Sequence, residues 1–264
     1  MIRSSDRDIR WLPGFNWITL CFFLFLYLPL IILVVFSFNA TRSATVWDGF
    51  SLQWYAKAFS NDDIQNAAKN SLIIAAVSTL FSTVFATMAA IALGRNREIK
   101  HKTAFGGLLL LPLMIPEIVT AVATLTFFTA INLSWGIGNI IIAHTVFCIP
   151  FAYLPIQARL RGLDASLETA ARDLYSDRRT TLQLITLPLL APGIFSGAML
   201  AFIISLDDFI ITMMVAEAGS TTLPIYIYGL VRTGVTPEVN AVSTVLLGIS
   251  VIAVLVSQWF AKKQ

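Results

Sequence analysis

The chain has 264 residues, of which 57% are hydrophobic and only 12% are charged, and its formal net charge is +3. That composition is too apolar for an ordinary soluble domain. The basic residues do not form a stripe, so nucleic-acid binding has no support. Cys21 and Cys148 lie in apolar runs without metal-binding or disulfide spacing, and no catalytic triad or phosphate loop is visible. A membrane protein that binds no metal is the class left.

Six hydrophobic segments are long enough to cross a bilayer, which takes about 20 helical residues. They lie near residues 17–38, 67–93, 104–131, 138–158, 190–216 and 239–261. We therefore predict an all-α polytopic membrane protein that forms a single transmembrane domain over residues 1–264. The stretch 219–234 is too short and too broken to span, and we expect a re-entrant or interfacial segment there. At the start of the sixth span, Thr236 is the expected N-cap and Pro237 the first helical residue.

The distribution of basic residues predicts the orientation of the spans. Fourteen of the 18 Lys and Arg residues fall on the side that holds both termini, the 94–103 loop and the 159–189 loop. Because cytoplasmic loops carry this excess, we expect both termini and the 159–189 loop to be cytoplasmic. The outer loop at residues 39–66 carries the aromatic residues Trp47, Trp54 and Tyr55, which suit an interface.

The 159–189 loop has the pattern of two short helices. In the first, Leu167, Ala170, Ala171 and Leu174 form one apolar stripe, and acidic and cap-forming residues precede it at Asp164, Ser166 and Glu168. The second is expected to start at Ser176–Asp177, to carry Arg178 and Arg179 outward and to end at Pro188. A helix pair between two spans suits docking against a soluble partner.

Ionisable groups inside a span are costly, by about 2.5–3.5 kcal/mol on insertion scales, so each needs a reason. The candidates are Glu117, His144, Asp207 and Asp208. His144 lies among apolar and aromatic neighbours, and we interpret it as a hydrogen-bonded packing residue. The carboxylates have no intramembrane Lys or Arg as counterpart, which favours a positively charged substrate.

The fifth span places small and polar side chains on one face. At 100° per residue, this face holds Gly193, Gly197, Ala201, Ser205, Asp208 and Thr212. The small residues permit close helix contact, and the polar residues suit a wet cavity. Asp207 points about 100° away from the centre of this face, so the two carboxylates are expected to do different jobs. The alternative is that one Asp caps a helix break or pairs with a partner's cation.

The third span contains Pro112 and Pro116 directly before Glu117. Prolines loosen a helix, and freed backbone groups at membrane depth line a cavity or another helix. Glu117, Thr120, Ala121 and Thr124 share one face there, which predicts part of a permeation path. The alternative is a protonated, buried Glu117. Tyr226, with Trp47 and Tyr228, is a candidate for cation–π contacts or an interface anchor.

The 159–189 loop also resembles a known motif. Thr169-Ala170-Ala171-Arg172-Asp173-Leu174 and Ile185-Thr186-Leu187-Pro188 are similar to the "EAA" loop of ABC importer permeases, whose helices dock on a cytoplasmic ATPase. The coupling residues that this resemblance implies are Glu168, Thr169, Ala170, Ala171, Arg172, Leu174, Tyr175, Arg178 and Arg179. Thr169 replaces the family's Glu, and Tyr175 replaces its Gly, so we expect a reshaped turn.

Other motifs resemble the permease subunits of spermidine/putrescine importers. They are Tyr27-Leu28-Pro29, Ser37-Phe38-Asn39, Ile115-Pro116-Glu117-Ile118-Val119, Ser205-Leu206-Asp207-Asp208-Phe209, Leu223-Pro224-Ile225-Tyr226-Ile227-Tyr228 and Gly234-Val235-Thr236-Pro237-Glu238-Val239-Asn240-Ala241. The resemblance implies the type I ABC importer permease fold and a transport subunit that is not an enzyme. It also implies a polyamine substrate path through Asp208, Asp207, Glu117, Thr120, Thr124, Ser205, Thr212 and Tyr226.

The same resemblance implies partners. They are an ABC ATPase dimer that binds ATP and Mg²⁺, a second permease forming a heterodimer as a paralogue, a periplasmic binding protein and the lipid bilayer; this chain itself would bind no cofactor. Another amine, an opine or an amino-acid derivative is the alternative substrate. A stand-alone proton-coupled carrier is a more distant alternative, and it would leave the cytoplasmic helix pair unexplained.

Overall fold

A computed structural model describes residues 15–43, 46–95, 99–164, 166–234 and 236–262. Of the basic residues that predict the orientation, Arg3, Arg7, Arg10, Arg97 and Lys263 lie outside these ranges, as does Val235 of the last motif. The described residues form α-helices joined by short connections, with one isolated antiparallel bridge between Asn39 and Phe50.

The helices follow one another in a simple order. They are α1 (Phe15–Phe36), α2 (Gln53–Phe59), α3 (Asp62–Arg95), α4 (Lys102–Met114), α5 (Glu117–Ala130), α6 (Ile137–Gly162), α7 (Ser166–Asp173), α8 (Arg178–Thr181), a π-helical turn (Leu182–Thr186), α9 (Leu187–Asp207), α10 (Ile210–Val215), α11 (Leu223–Thr233) and α12 (Pro237–Lys262). Five helical stretches within the described residues are long and apolar enough to cross a membrane. The pair α4 and α5 raises the number to six if it forms one broken span. The predicted all-α polytopic fold is therefore confirmed.

The third predicted span is not one helix but two, bent by 103° at a short break. Ile115 is extended, as expected for a residue before proline, and Pro116 has no N–H with which to continue the helical bonds of α4. The bend makes Glu117 the first residue of α5. Pro112 lies within α4, whereas Pro116 lies at the break and helps to divide the span into two helices.

The second helix of the 159–189 loop does not end at Pro188 as predicted. A π-helical turn precedes it and α9 begins at Leu187, so that Pro188 occupies the first turn of a new hydrogen-bonded stretch. The N–H of Leu187 still donates to the Leu182 carbonyl oxygen across the wider π-helical turn, and Pro188, which has no N–H group, follows that turn without ending the helix. Residues Arg178–Asp207 consequently form one helical run of 30 residues.

Helices α3, α6 and α9 pack together and form the core. Their buried residues include Ile74, Ala86, Ile140, Cys148, Tyr153, Ile156, Leu190 and Ala201. At Gly197, an added Cβ would lie 2.5 Å from the carbonyl oxygen of Ala152. The predicted close contact along the small-residue face of the fifth span is therefore present, and it brings α9 against α6.

The chain divides into two compact units, residues 1–60 with 230–245 and residues 61–229 with 246–264. In the first, the buried Asn39 organises the loop that follows α1 by donating from Nδ2 to the carbonyl oxygens of Ser43 (2.9 Å) and Val46 (2.7 Å). Lys57 Nζ lies 2.7 Å from Glu238 Oε2, next to the predicted helix start at Pro237. The second unit contains the candidate site, and the single domain over 1–264 stays a prediction.

The stretch predicted as re-entrant or interfacial contains α11, which has 11 residues. At about 1.5 Å per residue this helix is too short to cross a bilayer. Ser71 Oγ on α3 accepts the backbone N–H of Leu223 at 2.8 Å and so caps the start of α11. Its placement relative to the membrane stays a prediction.

Candidate functional site

The fifth span breaks at Asp208, between the end of α9 and the start of α10. Asp208 is extended, and its Oδ1 atom accepts both the backbone N–H and the hydroxyl of Thr212, each at 2.9 Å. One carboxylate oxygen therefore caps α10, as a residue at a helix N-terminus does. The alternative that an Asp caps a helix break is what the structure shows for this oxygen.

His144 on α6 lies against the same break and is buried. Its Nδ1 atom is 2.8 Å from Ser205 Oγ, and its Nε2 atom is 2.9 Å from Thr212 Oγ1 and 3.2 Å from Asp208 Oδ1. Ser205, Asp208 and Thr212, which the sequence placed on one helix face, thus meet around this imidazole. His144 is thus buried and hydrogen-bonded, in agreement with its interpretation as a hydrogen-bonded packing residue, although the sequence did not show which side chains it would contact.

The second oxygen of Asp208 has a different environment. Asp208 Oδ2 is buried and accepts no N–H or hydroxyl hydrogen bond within the described residues. The carboxyl group of Glu117, at the start of α5, lies within hydrogen-bond distance of the Asp208 carboxyl group. A proton held between the two carboxyl groups satisfies this pair when no ligand is bound, and a cationic group is the kind of ligand that would replace that proton.

The other predicted residues of the third span follow the expected face. Ala121 is fully buried, Glu117, Thr120 and Thr124 are half-buried, and α10 packs against α5. Thr124 Oγ1 donates to the Thr120 carbonyl oxygen at 2.8 Å, a hydrogen bond within α5. Glu117 lies at the start of α5, next to Asp208, and the place of Thr120 and Thr124 in a substrate path stays a prediction.

Asp207 has surroundings unlike those of Asp208. It is exposed, and each of its carboxylate oxygens accepts from Ser250 Oγ on α12 at 3.3 Å. The difference agrees with the predicted angle of about 100° between successive residues. Of the two aspartates, Asp207 is the more accessible to a solute.

Tyr226 lies on α11, where its hydroxyl accepts from Asn61 Nδ2 at 3.4 Å. The aromatic ring of α11 that packs against the helix break is Tyr228, whose centroid is 4.8 Å from that of Phe209. The role of Tyr226 in the substrate path stays a prediction.

The 159–189 loop keeps a left-handed turn at Tyr175, where φ is 62°. Tyr175 N–H donates to the Arg172 carbonyl oxygen at 2.9 Å, and Ser176 N–H donates to that of Ala171 at 3.0 Å. These two bonds form a Schellman motif, which usually has Gly at this position. The expected reshaping is therefore wrong: the turn is retained, at a cost of about 1–2 kcal/mol for a residue with a Cβ atom.

The loop exposes apolar side chains on one side and buries them on the other. Leu174 is 81% exposed and Tyr175 is 99% exposed, and Arg178 and Arg179 are also exposed. Thr169, Ala170 and Arg172 lie at the surface of α7, whereas Ala171 is only 8% exposed. The predicted apolar stripe thus divides, because Ala171 is covered by the loop itself while Leu174 is left uncovered.

Glu168 points back into the chain. Its Oε1 atom accepts from Arg95 Nε at the end of α3 and from Thr186 Oγ1 in the π-helical turn, both at 3.1 Å. Arg95 also donates from Nη2 to the Leu163 carbonyl oxygen at 3.3 Å. One carboxylate oxygen therefore joins α3, α7 and the helical run that leads to Asp208.

Two exposed aspartates cap the helices of the loop. Thr180 donates to Asp177 from its side chain and its backbone N–H, which holds the pKa of this carboxyl below its usual value. Ser166 likewise donates to the Asp164 carboxylate from its side chain and its backbone N–H, which lowers the pKa of Asp164. Both capped starts agree with the sequence pattern of acidic residues before each helix.

Comparison with known proteins identifies the family. Residues 86–263 match the family described as binding-protein-dependent transport system inner membrane component. The chain belongs to this family. It is 41% identical over 239 residues to the spermidine/putrescine transport system permease protein PotC of Haemophilus influenzae, covering 90% of this chain and 93% of that protein.

Two further comparisons agree with this assignment. The putrescine transport system permease protein PotI of Escherichia coli K12 is 37% identical over 254 residues, which are 94% of this chain and 88% of that protein. A chain from the crystal structure of a bacterial ABC transporter involved in alginate import has a TM-score of 0.74 at 18% identity, covering 93% and 92% of the two chains. The predicted family and the ABC permease fold are therefore confirmed, and the chain is a multi-pass transport subunit of an inner-membrane system.

Proposed function

We propose that the chain is the permease subunit of an ATP-driven importer that carries polyamines across the bacterial inner membrane. The observation that carries the proposal is the set of carboxylates at the two helix breaks. Glu117 and Asp208 lie together, Asp207 is accessible beside them, and no Lys or Arg contacts them within the described residues. Such an arrangement favours a cation, in line with the substrates named for the relatives.

Asp207 is the carboxylate that we propose for the first contact with a substrate ammonium group. It is exposed, and within the described part of the chain its carboxylate accepts two long hydrogen bonds from one hydroxyl, that of Ser250, so an ammonium group with three donors competes easily for it. Thr120, Thr124 and Tyr226 then belong to the walls of the path. Ser205 and Thr212 support Asp208.

The exposed part of the 159–189 loop is the proposed docking surface for an ATPase dimer. Leu174 and Tyr175 present uncovered apolar area beside Arg178 and Arg179, as an interface with a soluble partner requires. ATP and Mg²⁺ are bound by that partner and not by this chain. This docking requires the loop to be cytoplasmic, which agrees with the excess of Lys and Arg on its side and places both termini there.

Two more partners complete the proposed importer. The family is named for its dependence on a binding protein, which supports delivery of the solute by a periplasmic protein. The apolar stretch of α1 between Asn16 and Phe36 has no residue that is buried by the rest of the described chain. We therefore expect lipid or a second permease to cover this helix. We expect that second permease to be a paralogue, which makes the translocation path a heterodimer.

The test is solute-stimulated ATPase activity of the reconstituted complex with its binding protein. We expect stimulation by putrescine or spermidine and none by uncharged or anionic solutes of similar size. Asp207→Asn is expected to lower polyamine uptake at least tenfold without loss of assembly, whereas Ser250→Ala, which removes only its weak partner, leaves uptake within about twofold. Stimulation by another amine, an opine or an amino-acid derivative alone would replace the polyamine by that solute.

A further inference from the structure

We propose that His144 is a positioning residue, which holds Asp208 so that its Oδ2 atom is left to bind an ammonium group of the substrate. The inference rests on the proposed function and adds a residue and an atom to it. His144 itself does not touch the substrate. It acts through the orientation and the charge of Asp208.

The hydrogen-bond directions fix the imidazole. The hydroxyl proton of Thr212 goes to Asp208 Oδ1, so Thr212 Oγ1 accepts, and the donor is the Nε2–H group of His144. The same N–H group lies 3.2 Å from Asp208 Oδ1. The opposite ring atom, Nδ1, is 2.8 Å from Ser205 Oγ. Held at both ends, the ring cannot turn without breaking a bond in a buried site.

These contacts divide the two oxygens of Asp208 between two tasks. Oδ1 receives the Thr212 N–H, the Thr212 hydroxyl and the electrostatic contact with His144, and its acceptor capacity is thereby used. Oδ2 is equally buried and receives no N–H or hydroxyl donor from the described residues; the remaining neighbour of the Asp208 carboxylate is the carboxyl group of Glu117, whose proton a substrate ammonium group would replace. Because the carboxylate is fixed through Oδ1, the direction of Oδ2 is fixed as well.

An ammonium group matches what Oδ2 lacks. It brings three N–H donors and a positive charge to a place where Asp208 and Glu117 set two carboxyl groups side by side. A neutral solute of the same shape would supply at most donors and no charge. The arrangement therefore selects primary amines over hydroxylated analogues, and His144 maintains it between transport cycles.

A double-mutant cycle between His144 and Asp208 separates positioning from packing. The variants are His144→Leu, Asp208→Asn and their combination, in the complete complex with ATPase, second permease and binding protein in proteoliposomes. Each single change is expected to lower spermidine uptake about ten- to hundredfold. The double variant is expected to be no slower than Asp208→Asn alone, because His144 acts through Asp208.

A matched pair of polar replacements covers the case in which His144→Leu fails to assemble. Gln places its amide N–H near the position of Nε2 and so reaches Asp208 and Thr212, whereas Asn places its amide near Nδ1 and reaches only Ser205. We expect His144→Gln to restore uptake to within about threefold of the wild type. His144→Asn is expected to stay as slow as Asp208→Asn. Co-purification of all subunits is the control for folding.

The outcomes separate this inference from the proposed function. If the wild-type complex does not respond to polyamines, the proposed function is wrong and this inference falls with it. If the wild type transports polyamines but the losses of the two single variants multiply, His144 acts independently of Asp208 and only this inference is overturned. Equal uptake by His144→Gln and His144→Asn overturns it as well.

Discussion

The contact of Glu168 with Arg95 and Thr186 leads to a prediction about coupling between ATP hydrolysis and transport. Replacing Glu168 by Gln keeps the size of the side chain and removes its charge. The bond to Thr186 survives this change, whereas the charged pair with Arg95, whose Nε–Oε1 distance is 3.1 Å, does not. The exposed docking residues Leu174 and Tyr175 are left untouched.

The magnitude follows from the burial of the pair. The side chains of Arg95 and Glu168 are 22% and 15% exposed, so the bond is neither fully screened nor deeply buried. Hydrogen bonds to charged groups contribute about 1.5–3 kcal/mol, and the neutral bond that the Gln amide oxygen can still accept from Arg95 contributes about 0.5–1.5 kcal/mol. The change therefore removes roughly 1–1.5 kcal/mol, and if the pair forms in only one state of the transport cycle, the ratio of the two states changes by roughly five- to tenfold.

The assay is the ratio of polyamine transported to ATP hydrolysed, measured in the same proteoliposomes. We expect Glu168→Gln to lower this ratio about five- to tenfold, with ATPase binding unchanged. Asp173→Asn removes an exposed acid from the same helix and is the matched control. An unaltered ratio in Glu168→Gln, or no recovery when Arg95→Glu is combined with Glu168→Arg, would refute the coupling role.

Three further predictions concern stability. Tyr175→Gly should be more stable than Tyr175→Ala by about 1 kcal/mol in thermal unfolding of the complex, since both lose the ring and only Gly relieves the left-handed backbone; equal stabilities would contradict this. Gly197→Ala should destabilise by about 1–3 kcal/mol because its Cβ meets the Ala152 carbonyl oxygen at 2.5 Å, whereas Gly248→Ala, with nothing within 4 Å, should not. The hydrogen bonds from Thr180 lower the pKa of Asp177. The Asp177 carboxylate therefore stabilises the loop fully at pH values above the ordinary pKa of an Asp, and this stabilisation is lost as the pH falls through the lowered pKa. Backbone amide hydrogen exchange in α8, corrected for the intrinsic exchange rates, should become faster as this stabilisation is lost. The Asp177→Ala variant should show no such pH dependence.

The sequence predicted the spans and the relation of the two aspartates well because both depend on local periodicity. Apolar length determines which segments cross a bilayer, and the rotation per residue determines that Asp207 and Asp208 face different ways. The break at Pro116 was also visible, since a proline and the residue before it resist continuation of a helix. Pro188 misled the same reasoning, because a π-helical turn supplied a new helix start that no single residue announces.

Contacts between distant segments could not be predicted from these patterns. His144 lies 61 residues from Ser205, and Arg95 lies 73 residues from Glu168. Only the packing of α6 on α9, and of α3 near α7, brings them together. One signal for His144 was available: the fifth span offers several hydroxyl and carboxyl groups on one face, and a lone buried imidazole needs partners for both nitrogens.

The helical run from Arg178 to Asp207 connects the 159–189 loop directly to the helix break at Asp208. Its 30 residues extend over roughly 45 Å at the rise of an α-helix. The π-helical turn, Pro188 and Pro192, where a helix can bend, all lie in the half of the run near Arg178, so a tilt of the stretch beyond Pro192 reaches Asp208 as a displacement. The extended backbone at Asp208 is the first place where that motion can be converted into a change of direction, and the carboxylates are located at this point.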